Sequence, residues 1–353
     1  RMDPVIYMAI GFSGVAVAVM IYKSIPYIKF AYPTAKAETV GNPFITEKAL
    51  NQVIESKNLT SFKNIVNSYK DYNVEGEKIG DVHKSLDNIL FQSIDVLRRE
   101  SPKELNEFYE RFVEFLDAHN LKNFIKAKMI GRDIEVRFFS RKFKRWADYT
   151  SKLEYEETLA FLKEKELDIS AGADPFEIDL QVDRYVIRGL SESKVPRVAK
   201  DVKREFVERL LDIANLRNII RAKMNQLDAE KCKALFVMEG REIPRWKFDE
   251  LCMAKELDEV ISGLQGTSYH ELLKEGYESS KRYNNDQLVE LSLDKILLKV
   301  VQDMSMKNFP FFGPLLKFIV SKYYEIRNLK VISKGVDEGL PKERIKPLLV
   351  VGG

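Results

Sequence analysis

Apolar residues along this chain recur at helical rather than strand spacing. Leu105, Phe108, Phe112, Phe115 and Leu116 fall at i, i+3, i+7, i+10 and i+11, a stripe along one helix face. Phe206, Val207, Leu210, Leu211 and Ala214 repeat the pattern, as do Leu315, Phe318, Ile319 and Tyr323. No regular series of Val, Ile and Thr runs between tight turns is present, so the pattern predicts an all-α fold. Glycine and proline gather at 73–80, 170–175, 240–244, 309–314 and 335–341, where helices should end.

The helices also recur as groups. The ten-residue phrase opening Asn120-Leu121-Lys122-Asn123 returns at Asn215-Leu216-Arg217-Asn218, with seven of ten positions identical and Lys exchanging with Arg. A fainter copy begins at Asn328-Leu329-Lys330. The copies stand 95 and 113 residues apart, too far for a solenoid repeat and suited to a small helical domain made three times. An upstream landmark, Leu86-Asp87, Val182-Asp183 and Leu293-Asp294, precedes the Asn by 33, 32 and 34 residues. A third, still earlier, is Lys57-Asn58-Leu59, Lys165-Glu166-Leu167 and Lys255-Glu256-Leu257. The expected modules are 30–132, 133–228 and 229–353, each a handful of helices in antiparallel pairs, after a separate segment 1–29.

That first segment holds 18 consecutive uncharged residues, 5–22. At ~1.5 Å per residue such a helix reaches roughly 27 Å, enough for a thin hydrocarbon core. Asp3 precedes the run and Lys23 and Lys29 follow it, which would keep the following mass on the cytoplasmic side of a cell membrane. A transmembrane anchor is expected here, with a cleaved signal or a misplaced start as alternatives.

Charge is nearly balanced, 57 Lys and Arg against 54 Asp and Glu, which excludes a strongly basic nucleic-acid binder at whole-chain level. Two cysteines, Cys232 and Cys252, make no disulfide framework and read as buried thiols. There is no phosphate loop, no dinucleotide fingerprint and no metal spacing among His83, His119 and His270, so no cofactor or catalytic group is expected.

Two residue sets stand out as candidate sites. Asn120, Asn123, Asn215, Asn218 and Asn328 place amides beside apolar faces; their recurrence suggests inter-helix hydrogen bonding rather than a ligand site. Arg137, Arg141, Lys142, Lys144, Arg145 and Trp146 interleave with Phe138, Phe139 and Phe143. This stretch reads as an amphipathic inter-module segment with its aromatics in the core. Its other readings are a membrane or partner contact and, last, single-stranded nucleic acid.

The phrase Asn-Leu-Lys/Arg-Asn-x-Ile-Lys/Arg-Ala-Lys and the ending Glu325 to Gly335, followed by Gly339-Leu340-Pro341, resemble the C subunit of archaeal A-type and bacterial V-type rotary ATPases, a relative of the eukaryotic d subunit. The likeness runs from about Phe30 to Val351; Tyr32-Pro33-Thr34-Ala35-Lys36-Ala37 keeps only part of the family's usual opening, and residues 5–22 lie outside its pattern. The resemblance implies a pseudo-threefold funnel of helical domains, a non-catalytic socket on the membrane proteolipid ring that receives the D and F subunits of the central shaft. The membrane stator is a further implied neighbour, and no nucleotide, ion or nucleic acid is held. The competing reading is a membrane-anchored helical adaptor that takes a protein or nucleic-acid partner on 137–146.

Overall fold

The computed structural model describes the backbone of residues 4–39 and 47–351, and side chains from residue 19 onward apart from those of 23, 26, 39 and 47. Among the described residues the fold is all α. Helices α1 (Pro4–Thr39), α2 (Glu47–Ile54), α3 (Leu59–Val66), α4 (Ile79–Glu100), α5 (Asn106–Leu116) and α6 (Ala118–Met129) come first. Then follow α7 (Arg141–Thr150), α8 (Tyr155–Glu164), α9 (Pro175–Glu192) and α10 (Lys200–Met224). The remainder is α11 (Ala229–Ala234), α12 (Arg245–Met253), α13 (Leu257–Gly263), α14 (His270–Tyr283), α15 (Gln287–Lys307), α16 (Gly313–Asp337) and α17 (Lys342–Ile345).

Local chemistry sets these bounds. In α9, Pro175 opens the helix where a missing N–H costs nothing, and the Asp174 carboxylate accepts from the Glu177 N–H at 2.9 Å. Ser140 caps α7 through Phe143 N–H, and Asp228 caps α11 through Lys231 N–H. In α4 the buried residues Val82, Leu86, Ile89, Leu90, Ile94 and Leu97 form one stripe, leaving Asp87 and His83 at its flank.

The helices pair in a repeating way. Helix α9 packs on α6, α15 packs on α10, and α4 packs on α16, so the Asp-bearing helices meet the Asn-bearing ones in a cycle that returns to its start. One continuous apolar core runs through all of them, with Phe108, Phe112 and Phe206 meeting ring to ring and Phe312 set edge-on to Phe108 at 4.9 Å.

The N-terminal expectation requires correction. Residues 5–22 do enter a helix, but α1 continues to Thr39, and among the described residues no helix is long and apolar enough to cross a membrane. The side chains of residues 5–18 lie outside the described ones. The described half of α1 docks on the body of the protein. Phe30, Thr34 and Ala37 are buried there, and Lys29, Lys36 and Glu38 pair with Glu104, Glu100 and Lys317. A half-helix committed in this way to ion pairs and core packing is part of the folded body and not a lipid-facing segment. The cell-membrane placement that rested on this anchor is withdrawn with it.

The cysteines also differ from expectation. Cys232 and Cys252 are fully buried and bonded to each other, because α11 and α12 bring their Cα atoms to 5.6 Å.

Candidate functional site: the cavity among the helix pairs

Each Asn-bearing helix meets the next Asp-bearing helix through an ion pair at the same register. Lys122 Nζ lies 2.7 Å from Asp183, Arg217 lies 2.9 Å from Asp294, and Lys330 Nζ lies 2.5 Å from Asp87. The cations are the third residues of the three repeated phrases, and the acids are the three upstream landmarks. One turn away, Lys126 meets Asp179 at 2.6 Å and Arg221 meets Glu290 at 2.8 Å. At the third seam the corresponding acid is replaced by His83, whose Nε2 lies 3.2 Å from the Lys330 carbonyl and 3.1 Å from Ser333 Oγ. Burial, followed by the nearby Lys330 charge, holds His83 below the usual imidazole range.

Between these helix pairs lies a cavity of about 790 Å³. Its wall takes residues from α5, α6, α9, α10, α15 and α16, so it is built by the meeting of the repeats and not by one of them. The paired side chains Lys122, Lys126, Asp183, Arg217, Arg221, Glu290 and Asp294 line it, with Phe115, Phe206 and Tyr323 between them. Mixed charges already matched to one another leave little to hold a small ion. Among the described residues no group of His, Cys, Asp or Glu could hold a metal.

The five asparagines divide into two kinds. Asn215, fully buried, donates to the Met238 carbonyl at 2.9 Å and accepts from the Val237 N–H at 2.9 Å. Asn328 does the same with both backbone groups of Val350, at 2.7 and 2.9 Å. Asn120, half-buried, donates to the Arg137 carbonyl at 3.1 Å. Each therefore ties the chain segment that follows its helix back onto the helix. Asn123 and Asn218 line the cavity; Asn123 bonds His119 at 3.0 Å and Asn218 donates to the Leu235 carbonyl at 2.8 Å.

Three residues before each clamp sits a buried acid. Asp212 accepts from the N–H groups of Glu242 and Ile243, both at 2.9 Å, and from the Tyr269 hydroxyl at 2.6 Å. Gly240 lies so close that a Cβ there would stand 1.9 Å from Asp212 Oδ1. Asp117 accepts from Phe139 and Ser140 N–H groups at 2.8 and 2.6 Å, yet burial pushes its carboxyl up to about 6. Glu325 accepts from the Tyr72 hydroxyl and from Lys322 at 2.7 Å, the latter an ion pair that is almost wholly buried.

The matched architecture has counterparts among known proteins. The family model for the ATP synthase (C/AC39) subunit matches residues 33–348, nearly the whole chain. The chain belongs to the ATP synthase C/AC39 subunit family. Relatives of this family member include the C subunit of the A-type ATP synthase from Methanocaldococcus jannaschii, 29% identical over 344 residues, covering 91% of this chain and 86% of the relative. Its counterpart from Methanobrevibacter smithii is 26% identical and covers 92% and 88%. That of Pyrococcus abyssi is 26% identical and covers 94% and 92%.

The basic-aromatic stretch of this family member splits by residue type. Phe138, Phe143 and Trp146 are buried, while Arg137, Arg141, Lys144 and Arg145 are exposed and Lys142 is half-buried beside Glu114 and over the Trp146 and Tyr185 rings. Its three buried aromatics are therefore not free to stack on bases, while half-buried Phe139 stacks on Phe91.

Proposed function

We propose that the cavity among the helix pairs is the seat of the central shaft of a rotary ATP synthase, its D and F subunits, and that another face of the chain rests on the proteolipid ring. The membrane stator is the remaining neighbour. In this reading the chain is three related modules, 30–132, 133–228 and 229–353, turned about a pseudo-threefold axis. Family membership makes the chain a non-catalytic rotor component, which transmits torque between ion translocation and ATP synthesis.

The observation that carries the proposal is the cyclic closure of the seams. A part that passes torque must resist shear between its own modules. Here Lys122–Asp183, Arg217–Asp294 and Lys330–Asp87 join first to second, second to third, and third back to first. The last pair supports the seam where no chain connection does. Half-buried ion pairs add little stability each, about 1 kcal/mol or less, but they fix register and penalise sliding. The shaft contact must itself be large enough not to slip, about 1,200–2,000 Å² in total.

The test is reconstitution of the whole synthase into vesicles with and without this chain, following ATP hydrolysis and ion uptake together. Hydrolysis should persist and uptake should cease when the chain is omitted. Ion pumping after full depletion would refute the role, and loss of shaft binding should follow charge reversal of Arg221 and Lys126 in the cavity wall.

A further inference from the structure

A second crevice, of about 720 Å³, lies among α4, α5, α7 and α8 and shares no lining residue with the central cavity. Its inner wall is apolar. Phe91 stacks on Phe139 at 3.5 Å, and Ile94, Val113, Trp146 and Phe161 complete the surface. Two buried hydroxyls face it: Tyr109 bonds Ser101 at 2.9 Å, and Ser140 accepts from the Phe143 N–H at 3.3 Å.

The rim is unevenly charged. Its carboxylates are mostly matched: Asp95 by Arg98 at 2.7 Å and Arg99 at 3.0 Å, and Glu114 by Arg111 at 2.9 Å and Lys142 at 3.4 Å. Arg141 and Arg145 stand one turn apart on α7, exposed, and neither is in ion-pair contact with a described residue, although Arg141 is near enough to Asp95 to help lower its carboxyl. The α7 N-terminus opens at the same place, adding its partial positive charge.

We propose that this crevice binds an anionic amphiphile. An alkyl or aryl body lies against Phe91, Phe139, Val113 and Trp146, and one carboxylate, sulfonate or phosphate head sits between Arg141 and Arg145. The volume falls in the range of small-molecule sites, about 300–1,000 Å³. Lys165, over the Phe161 ring, is a third cation on the rim without an ion pair among the described residues, and Glu110, likewise without one, stands against a polyanion. A polar body fits less well too, because the inner wall is mainly aromatic and aliphatic side chains. The head can belong to a soluble amphiphile or to a membrane lipid.

Trp146 reports occupancy directly, since the only other tryptophan, Trp246, can be removed as Trp246→Phe at an exposed position. The full-length Trp246→Phe chain is titrated with dodecanoate below its micelle threshold, with dodecanol as the neutral control. In parallel it is sedimented with phosphatidylglycerol and with phosphatidylcholine vesicles. Dodecanoate should change Trp146 emission saturably and bind at least about tenfold more tightly than dodecanol, the worth of one charge-assisted contact. Arg141→Glu with Arg145→Glu should lose that preference at unchanged circular dichroism, and Arg145→Gln alone should weaken it. Arginine-dependent sedimentation with phosphatidylglycerol alone would assign the head to a membrane lipid; saturable dodecanoate binding alone would assign it to a soluble amphiphile. Equal binding of dodecanol, undiminished binding by the reversed-charge variant, or no binding in either arm overturns the proposal.

Discussion

Replacing Asn215 by Leu tests whether the repeated asparagines act as clamps. The side chain is fully buried and holds two backbone groups, the Met238 carbonyl and the Val237 N–H, each at 2.9 Å. Leucine has similar volume but neither function, so the buried Val237 N–H and the half-buried Met238 carbonyl both lose their partner. Each orphaned group costs about 1–3 kcal/mol, and the added apolar burial returns about 1–2, leaving a net loss centred on roughly 2–3 kcal/mol. Asn328→Leu should cost as much, because Val350 is held through both its backbone groups. Asn120→Leu should cost less, about 1 kcal/mol or below, since its amide is half-buried and its backbone partner, the Arg137 carbonyl, lies on an exposed segment. Urea unfolding followed by circular dichroism gives the ordering, and amide hydrogen exchange at Val237 shows whether the loss is local to the clamp. Equal losses at Asn120 and Asn215, or a parent-like midpoint for Asn215→Leu combined with failure to bind the shaft, would refute the clamp and make these amides partner contacts.

Three further outcomes follow from the same geometry. Burial holds the Asp117 carboxyl up to about 6, so its proton is bound more tightly in the folded than in the unfolded chain. Its contribution to stability is present below the ordinary value of about 4 and is lost as pH rises to about 6, so Asp117→Asn should gain on the parent by roughly 1.4 kcal/mol per pH unit across that window; parallel stability curves would refute this. Gly240→Ala drives a Cβ into Asp212 and should destabilise by about 2 kcal/mol or more, but far less in an Asp212→Ala background, as a double-mutant cycle would show. Lys330→Glu should weaken the third seam, and Asp87→Lys added to it should restore most of the loss, with a coupling of about 1 kcal/mol; independent, additive losses would mean the pair carries nothing.

Much of this protein is legible in its order of residues. Helical periodicity is a local property, and so are stops such as the glycine and proline at 335–341. The repeated phrase and the family likeness need only one-dimensional comparison. Even the seams left a trace: the third position of the phrase changes from Lys122 to Arg217 and back to Lys330, and the landmark keeps Asp87, Asp183 and Asp294. A charge retained while its side chain changes points to an ionic partner, yet nothing in the order says which acid meets which cation.

That choice belongs to the tertiary structure. Each cation pairs with the landmark acid that precedes the next repeated phrase, and the last returns to the first, a closure set by how helices α6, α10 and α16 pack rather than by separation along the chain. Packing also separated residues that looked alike. It buried Asn215 on two backbone groups but left Asn218 on the cavity wall with one, buried Trp146 beside exposed Arg145, and joined Cys232 to Cys252. For the N-terminal helix, hydropathy counted uncharged residues in isolation, whereas the fold recruited its second half into the protein through Phe30, Thr34 and Ala37. Hydrophobicity and period act over a few neighbouring residues and can be read directly. Partners are fixed by the simultaneous packing of distant segments, and only the folded chain brings them together.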